Sequence, residues 1–530
     1  MPAATASARS PVILIGLDAA EIDVVDRLVA AGRMPNLARL RQRGRWGRLQ
    51  TEPPHFLSLV WSTFFCGTRL GDQGWYFNKI WNPDRQRLQY VDPSWLPVDP
   101  FWHALDPSYR LAILDLPYAT ELRARPNMMA LNGWQCHDDF GHSAVPGDLW
   151  GRLSQRHRRP RMTPEVFGPQ SAATLLAQRR EVLEGNRQFG EICRDLLASE
   201  RFDLFLAVFG LVHRGSHYLW DLSQVELDGE TDSTRALLEA SLDQFYASAD
   251  EALGQVLEAA PADARVVVFA LHGMGSNDGW YEILPQILER IHRGRTGVAE
   301  RPGLLYRLRQ SLPWPLVRQV TRRIPMGWNK ALVPLWSRRM RDWSTTRYFA
   351  LPMDYNGYVR LNLKGRELEG CVDPKAADQV IEELNVGLRS FRDLTTGKPV
   401  IRGTVKVDDL VPPDAPRRRF LPDLVVLWDP PGPVWASDGL VSDQFGEIRW
   451  TRGRKLASGR SGNHTPHGWF VAAGPGIRPG PSERSYDTAD LMPTVFHWLG
   501  AAPPAHFVGR PIGELVESEL PRDSLRVTPG

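Results

Sequence analysis

His213 and His217 stand four residues apart in the stretch Leu211-Val-His-Arg-Gly-Ser-His217. On a helical turn that spacing puts both imidazoles on one face, where they can chelate a single ion. Two more histidines border apolar runs. His272 directly follows Arg265-Val-Val-Val-Phe-Ala-Leu271, and His464 lies in the turn sequence Gly-Asn-His-Thr-Pro ahead of Gly468-Trp-Phe-Val-Ala-Ala473. Asp18 closes a fifth stretch, Pro11-Val-Ile-Leu-Ile-Gly-Leu-Asp18. Each histidine alone is more often structural. Their shared position at the ends of apolar runs makes them a candidate metal-ligand set.

Those runs read as buried parallel strands, because a strand covered on both faces loses the polar–apolar alternation of a half-exposed one. Phe202–Phe209 is a further example, with His213 just beyond it. Helix-like stretches, such as 23–43 and 234–259, separate the strands. Strands alternating with helices imply an α/β fold with a mainly parallel sheet covered on both faces. In such sheets ligands gather at the carboxyl ends of the strands, where Asp18, His213 and His272 fall.

Residues 290–345 differ from the rest. They carry 13 Lys and Arg against the two acids Glu300 and Asp342, four Trp and five Pro. This reads as a basic, Trp-rich helical insertion, a lid whose field attracts anions or an anionic membrane surface; the alternative is a solvated basic face. The expected organisation is a disordered N-terminus at 1–10, one catalytic domain from 11–289 and 346–516, the lid at 290–345, and a tail at 517–530. The net charge of +3 is too small to imply a nucleic-acid partner. Four dispersed Cys without a CxxC argue against a disulfide framework or zinc ribbon. Neither a signal peptide nor a spanning apolar run is visible, so a cytoplasmic location is expected.

In chain order, the motifs are Ile15-Gly-Leu-Asp18-Ala, Met34-Pro-Asn-Leu37, Val60-Trp-Ser-Thr-Phe-Phe-Cys-Gly67, Gly71-Asp-Gln-Gly74, His213-Arg-Gly-Ser-His217, His272-Gly-Met-Gly275, Arg360-Leu-Asn-Leu-Lys-Gly-Arg366, Ser461-Gly-Asn-His464, Tyr486-Asp-Thr-Ala-Asp490 and Gly509-Arg-Pro-Ile512. Each is loose, but the ordered set resembles the type I phosphodiesterase and nucleotide pyrophosphatase family of the alkaline phosphatase superfamily. The resemblance implies an alkaline-phosphatase-like fold and a metal-dependent hydrolase acting on small-molecule phosphate esters by in-line attack at phosphorus. It further implies one or two divalent ions, zinc above all, with manganese as the alternative.

Carried over by position, the first ion falls to His213, His217 and His464. The second falls to Asp18, His272 and the nucleophile. Two departures stand out. His213 replaces an aspartate of the family pattern, giving a site of three neutral imidazoles. Leu271 replaces another and cannot bind metal; Asn277 or Asp278 is the nearest substitute. The family register puts the nucleophile at Leu57, so Ser58, one residue on, is the choice. Ser62, Thr63, His55 and a metal-activated water remain as alternatives. His137, in Asn132-Gly-Trp-Gln-Cys-His137, is a candidate substrate contact or acid–base group, and a capped turn is its structural alternative. A phosphoryl-type transferase and a non-catalytic scaffold are the competing functional readings. A sulfatase is disfavoured because no Cys/Ser-x-Pro-x-Arg motif occurs near residues 55–65.

Overall fold

The computed structural model describes residues 10–119, 125–135, 142–158, 168–297, 334, 337, 341–353 and 355–516. The elements that build the site are β1 (Val12–Leu17), α1 (Ile22–Ala30), α2 (Pro35–Arg43), β2 (Arg45–Gln50), α3 (Val60–Cys66), β3 (Leu111–Leu114), β4 (Met128–Asn132), β5 (Ser143–Val145), α4 (Ala172–Ser199), β6 (Leu204–Phe209), α5 (Leu211–Leu219), α6 (Ser241–Ala259), β7 (Arg265–Ala270), β8 (Gly273–Ser276), β9 (Gly462–Thr465), β10 (His467–Ala473) and α7 (Leu491–Leu499). The main sheet runs β2-β10-β7-β1-β6-β3-β4-β5, extended beyond β2 by short strands. From β7 to β4 every neighbouring pair is parallel. β10 runs antiparallel between β7 and β2, and β5 is an antiparallel edge.

Alternation along the strands sorts the core into two layers. Ile13, Ile15, Phe205, Ala207, Val266 and Val268 face one side and pack under α1, α2, α4 and α6 with Phe189, Tyr246 and Leu253. Val12, Leu14, Leu206, Val208, Val267 and Phe269 face the other, under α3 and α7 with Phe64, Phe65 and Phe496. Burial on both faces is why these strands read as continuous apolar runs.

The helix-like stretches divide where the sequence has local reasons to stop. Residues 23–43 form α1 and α2, because Gly32 takes a left-handed φ of 70° and Pro35 opens the second helix without an N–H to satisfy. Residues 234–259 are split at Ala240 between Asp232–Glu239 and α6.

A smaller body packs beside the main sheet. Its four antiparallel strands are ordered Tyr348–Leu351, Gly357–Leu361, Leu424–Trp428 and Ile401–Lys406. The helices Leu284–Thr296 and Ala377–Arg389 share its core through Ile287, Ile291, Leu384 and Val426. The insertion boundary read at 290 therefore falls inside a packed helix, and its far end is also anchored, with Trp343 buried against Trp81 and Phe349. Most of the expected lid, 298–333, lies outside the described residues. Among the described residues no helix is long and apolar enough to cross a membrane.

Candidate metal centre

Five of the sequence-predicted residues converge at the carboxyl ends of β1, β6 and β7. Asp18 leaves β1, its N–H bonded to the Phe209 carbonyl at the end of β6 (3.0 Å). α5 starts one residue later and carries His213 and His217. Gly215 between them lets α5 lie on α6, since a Cβ there would meet the Phe245 ring at 2.3 Å. His272 follows β7. His464 comes from the distant C-terminal part through the antiparallel β8–β9 ladder, in which Met274 faces His464.

His213 Nδ1 lies 2.7 Å from Asp18 Oδ2, and its Nε2 lies 2.9 Å from His217 Nε2. His217 Nδ1 faces the Gly462 carbonyl at 3.1 Å. Glycine is needed at 462 for that approach, because a Cβ would meet the Ser216 carbonyl at 2.2 Å. The ring of His464 is 4.9 Å from those of both His213 and His217. The His272 ring stacks on that of His464 at 4.7 Å and 23°.

These contacts decide the tautomers. An oxygen acceptor in front of each Nδ1 favours a proton there, so that each ring in its neutral form presents the lone pair of its Nε2. Two lone pairs at 2.9 Å repel each other unless a cation or a proton lies between them. His213, His217 and His464 each offer one ligand atom within 4.8 Å of the others. That span closes to the reach of one ion with Zn–N bonds of about 2.0–2.1 Å by small side-chain movement. Three imidazoles, two of them oriented from behind by a carboxylate and a carbonyl, match the donor set of a zinc ion.

The electrostatics agree. Burial would push the Asp18 carboxyl up, but the charge and hydrogen bond of His213, then His272 and the Trp61 indole, hold it well below the ordinary range. Burial pushes His217 well below an ordinary imidazole, helped by Arg460, His213 and His464. Burial likewise lowers His272 to about 4, with Asp18 opposing. His217 and His272 are therefore neutral, as ligands must be.

The remaining candidates separate. Ser58 sits in the helical turn Leu57–Leu59 that leads into α3. Its N–H donates to the Tyr355 hydroxyl (3.2 Å), and the Tyr355 ring lies 6.3 Å from His464. No hydrogen bond from the Ser58 hydroxyl to another described residue is formed. Ser62 is fully buried, donating to the Leu59 carbonyl and paired with Gln73, and Thr63 accepts from Gln73. The His55 carbonyl is held by Asn356 and Tyr358. Asn277 bonds the Arg460 carbonyl and the Gly279 N–H, and Asp278 accepts from the Trp280 N–H, so both are spent on a turn. Arg366 is spent on Glu367 and Asp423. His137 lies outside the described residues. Asp115 caps the turn before it by accepting from the Trp134 N–H at 2.7 Å.

Three contributors escaped the sequence reading: the Gly462 carbonyl, Tyr355, and Trp61 as a donor to Asp18 Oδ1 (2.9 Å). Trp61 carried a signal as a landmark of its motif, though not for this bond. The other two carried none.

Comparison with known proteins bears on the fold and the family. The wild-type alkaline phosphatase PafA is similar in fold (TM-score 0.51, 11% identity), with 97% of this chain and 100% of that one covered. Murine ectonucleotide pyrophosphatase/phosphodiesterase 5 aligns over 94% of this chain and 96% of its own at 10% identity and TM-score 0.46. A phosphonoacetate hydrolase from Sinorhizobium meliloti 1021 aligns over 93% and 96% at 15% identity and TM-score 0.45. No curated protein matches by sequence. The family model "Type I phosphodiesterase / nucleotide pyrophosphatase" matches residues 12–435. The chain belongs to the type I phosphodiesterase/nucleotide pyrophosphatase family, whose chemistry is phosphoester hydrolysis.

Proposed function

We propose that this protein is a metal-dependent hydrolase of small phosphate esters, diesters above all, with its ion held by His213, His217 and His464. The observation that carries the reading is the convergence of three imidazoles, with the Nε2 atoms of His213 and His217 2.9 Å apart and an oxygen behind each Nδ1. A zinc ion in this set supplies a Lewis acid for a phosphoryl oxygen and lowers the pKa of an attacking hydroxyl or water.

The chain's own groups do the positioning. Asp18 fixes the ring and tautomer of His213, and Gly462 does the same for His217. Outer partners of this kind tune metal affinity about 10–100-fold. Asp18→Asn, which weakens that hold, is expected to raise the zinc dissociation constant by about that factor, measured by competition with a chelator. Arg460, whose charge is felt at His217, gives the pocket a field that favours anionic substrates. Ser58 is the proposed nucleophile, because its hydroxyl has no other described partner while those of Ser62 and Thr63 do. Ser58→Ala is expected to lower kcat about a hundredfold or more, whereas Ser62→Ala and Thr63→Ala keep most activity. Full activity in Ser58→Ala would transfer the attack to water.

The function itself is tested with an aryl phosphodiester, following phenol release with zinc, manganese or magnesium from mildly acid to mildly alkaline pH. Turnover that disappears with a chelator supports the reading. No release with any of the three metals overturns it for small diesters.

A further inference from the structure

The three-histidine set leaves His272 unexplained. It is 4% exposed, its Nδ1 has no hydrogen-bond partner, and that nitrogen lies 3.9 Å from Asp18 Oδ1. A buried imidazole nitrogen facing a carboxylate oxygen is half of a second cation site.

The other half is incomplete. Both oxygens of Asp18 are engaged: Oδ2 with His213 Nδ1, and Oδ1 with the indole N–H of Trp61. The Trp61 donor supplies the positive partner that a cation would otherwise give Oδ1. Leu271, next to His272 in the chain, is fully buried in the apolar layer that also holds Trp61, Phe64 and Phe269. Its side chain brings no donor. The nearest polar residues downstream, Asn277 and Asp278, are spent on their own turn. A zinc ion there would have only Asp18, already shared, and His272 as carboxylate and imidazole ligands, with the neutral Ser58 hydroxyl the one further group the family pattern offers, where structural and catalytic zinc sites draw at least three ligands from imidazole, thiolate and carboxylate. Among the described residues, His213, His217 and His464 form the one group of three or more such ligands that could hold a metal.

We infer that this chain holds a single ion, and that Leu271 is the residue that denies it a second beside Asp18 and His272. This rests on the three-histidine reading and adds a stoichiometry to it. Leu271 sets the number by withholding a carboxylate, and Trp61 keeps Asp18 turned toward His213. Replacing Leu271 with Asp adds the missing ligand next to His272 and completes a set of three with Asp18.

The test counts zinc per chain by native mass spectrometry on the full protein after saturation and removal of free metal. One ion is expected in the wild type, and one in His272→Ala. Two are expected in Leu271→Asp, falling to one in the double variant Leu271→Asp/His272→Ala. Two ions in the wild type, one of them lost in His272→Ala, overturn the inference and leave the three-histidine centre standing. No ion in the folded wild type overturns both. A folded Leu271→Asp that stays at one ion overturns the role given to Leu271. If that variant does not fold, the counts for the wild type and His272→Ala still decide the stoichiometry.

Discussion

His217→Ala is expected to strip the protein of its ion and to lower kcat/KM for an aryl phosphodiester by about a thousandfold or more. The metal is asked to supply several kcal/mol of transition-state stabilisation, and each 1.36 kcal/mol is about a factor of ten. The substitution removes one of three ligands and leaves the Nε2 of His213 without the lone pair it faces. It is checked by zinc content and steady-state kinetics on the same preparation. A variant that keeps both its ion and its rate would remove His217 from the centre. The fold should survive, because α5 retains its packing against α6 through Gly215 and Phe245.

Glu367→Ala is expected to lower stability by about 3–5 kcal/mol, the cost of leaving a buried charge without its partner. Glu367 is fully buried and serves three donors: the Trp81 indole (2.9 Å), Arg360 (2.9 Å) and Arg366 (2.8 Å). Arg360 is equally buried, and burial brings its guanidinium down to about 10, still charged at neutral pH. Arg366 continues the network to Asp423 with contacts of 2.6 and 2.8 Å. Burial alone would raise the Asp423 carboxyl, but Arg366, Arg360 and Arg418 hold it well below its ordinary range. A depressed carboxyl stabilises the fold above its unfolded value. That contribution is present at neutral pH and drains away as pH falls below about 3.8. Urea unfolding at neutral pH gives the first number, and an acid titration gives the second. A Glu367→Ala protein as stable as the wild type would make the network dispensable.

What the sequence disclosed depended on how local the signal was. β1, β6, β7 and β10 were legible because burial on both faces writes itself as an unbroken apolar run. The residues at their ends were then picked by chemistry, and the fold brings Asp18, His213, His217, His272 and His464 together. The break inside 23–43 was also written locally, in Gly32 and Pro35, but the apolar periodicity on either side masks it. The bonds that give the centre its character were not legible. Trp61 to Asp18 joins two motifs, and the Gly462 carbonyl belongs to backbone, which has no side-chain signature. Tyr355 reaches Ser58 across 297 residues of sequence. The smaller body was hidden for a related reason: its central pairing joins Gly357–Leu361 to Leu424–Trp428 across a long separation, and its first strand lies beside the basic stretch that drew attention as an insertion.

The ladder that delivers His464 also decides when the proposed ligand set is complete. His217 and the Gly462 carbonyl that steadies it are 245 residues apart, and His464 follows two residues later. As the chain leaves the ribosome, the His213–His217 turn is made early and offers only two imidazoles. The third is made only after the long stretch leading to β9 and is in place only once β9 has paired with β8. Contacts of such long range form late in folding. On the proposed reading, metal loading follows the pairing of this ladder and does not template it. Because the full ligand set exists only in the folded structure, an ion held there would stabilise the native state by mass action.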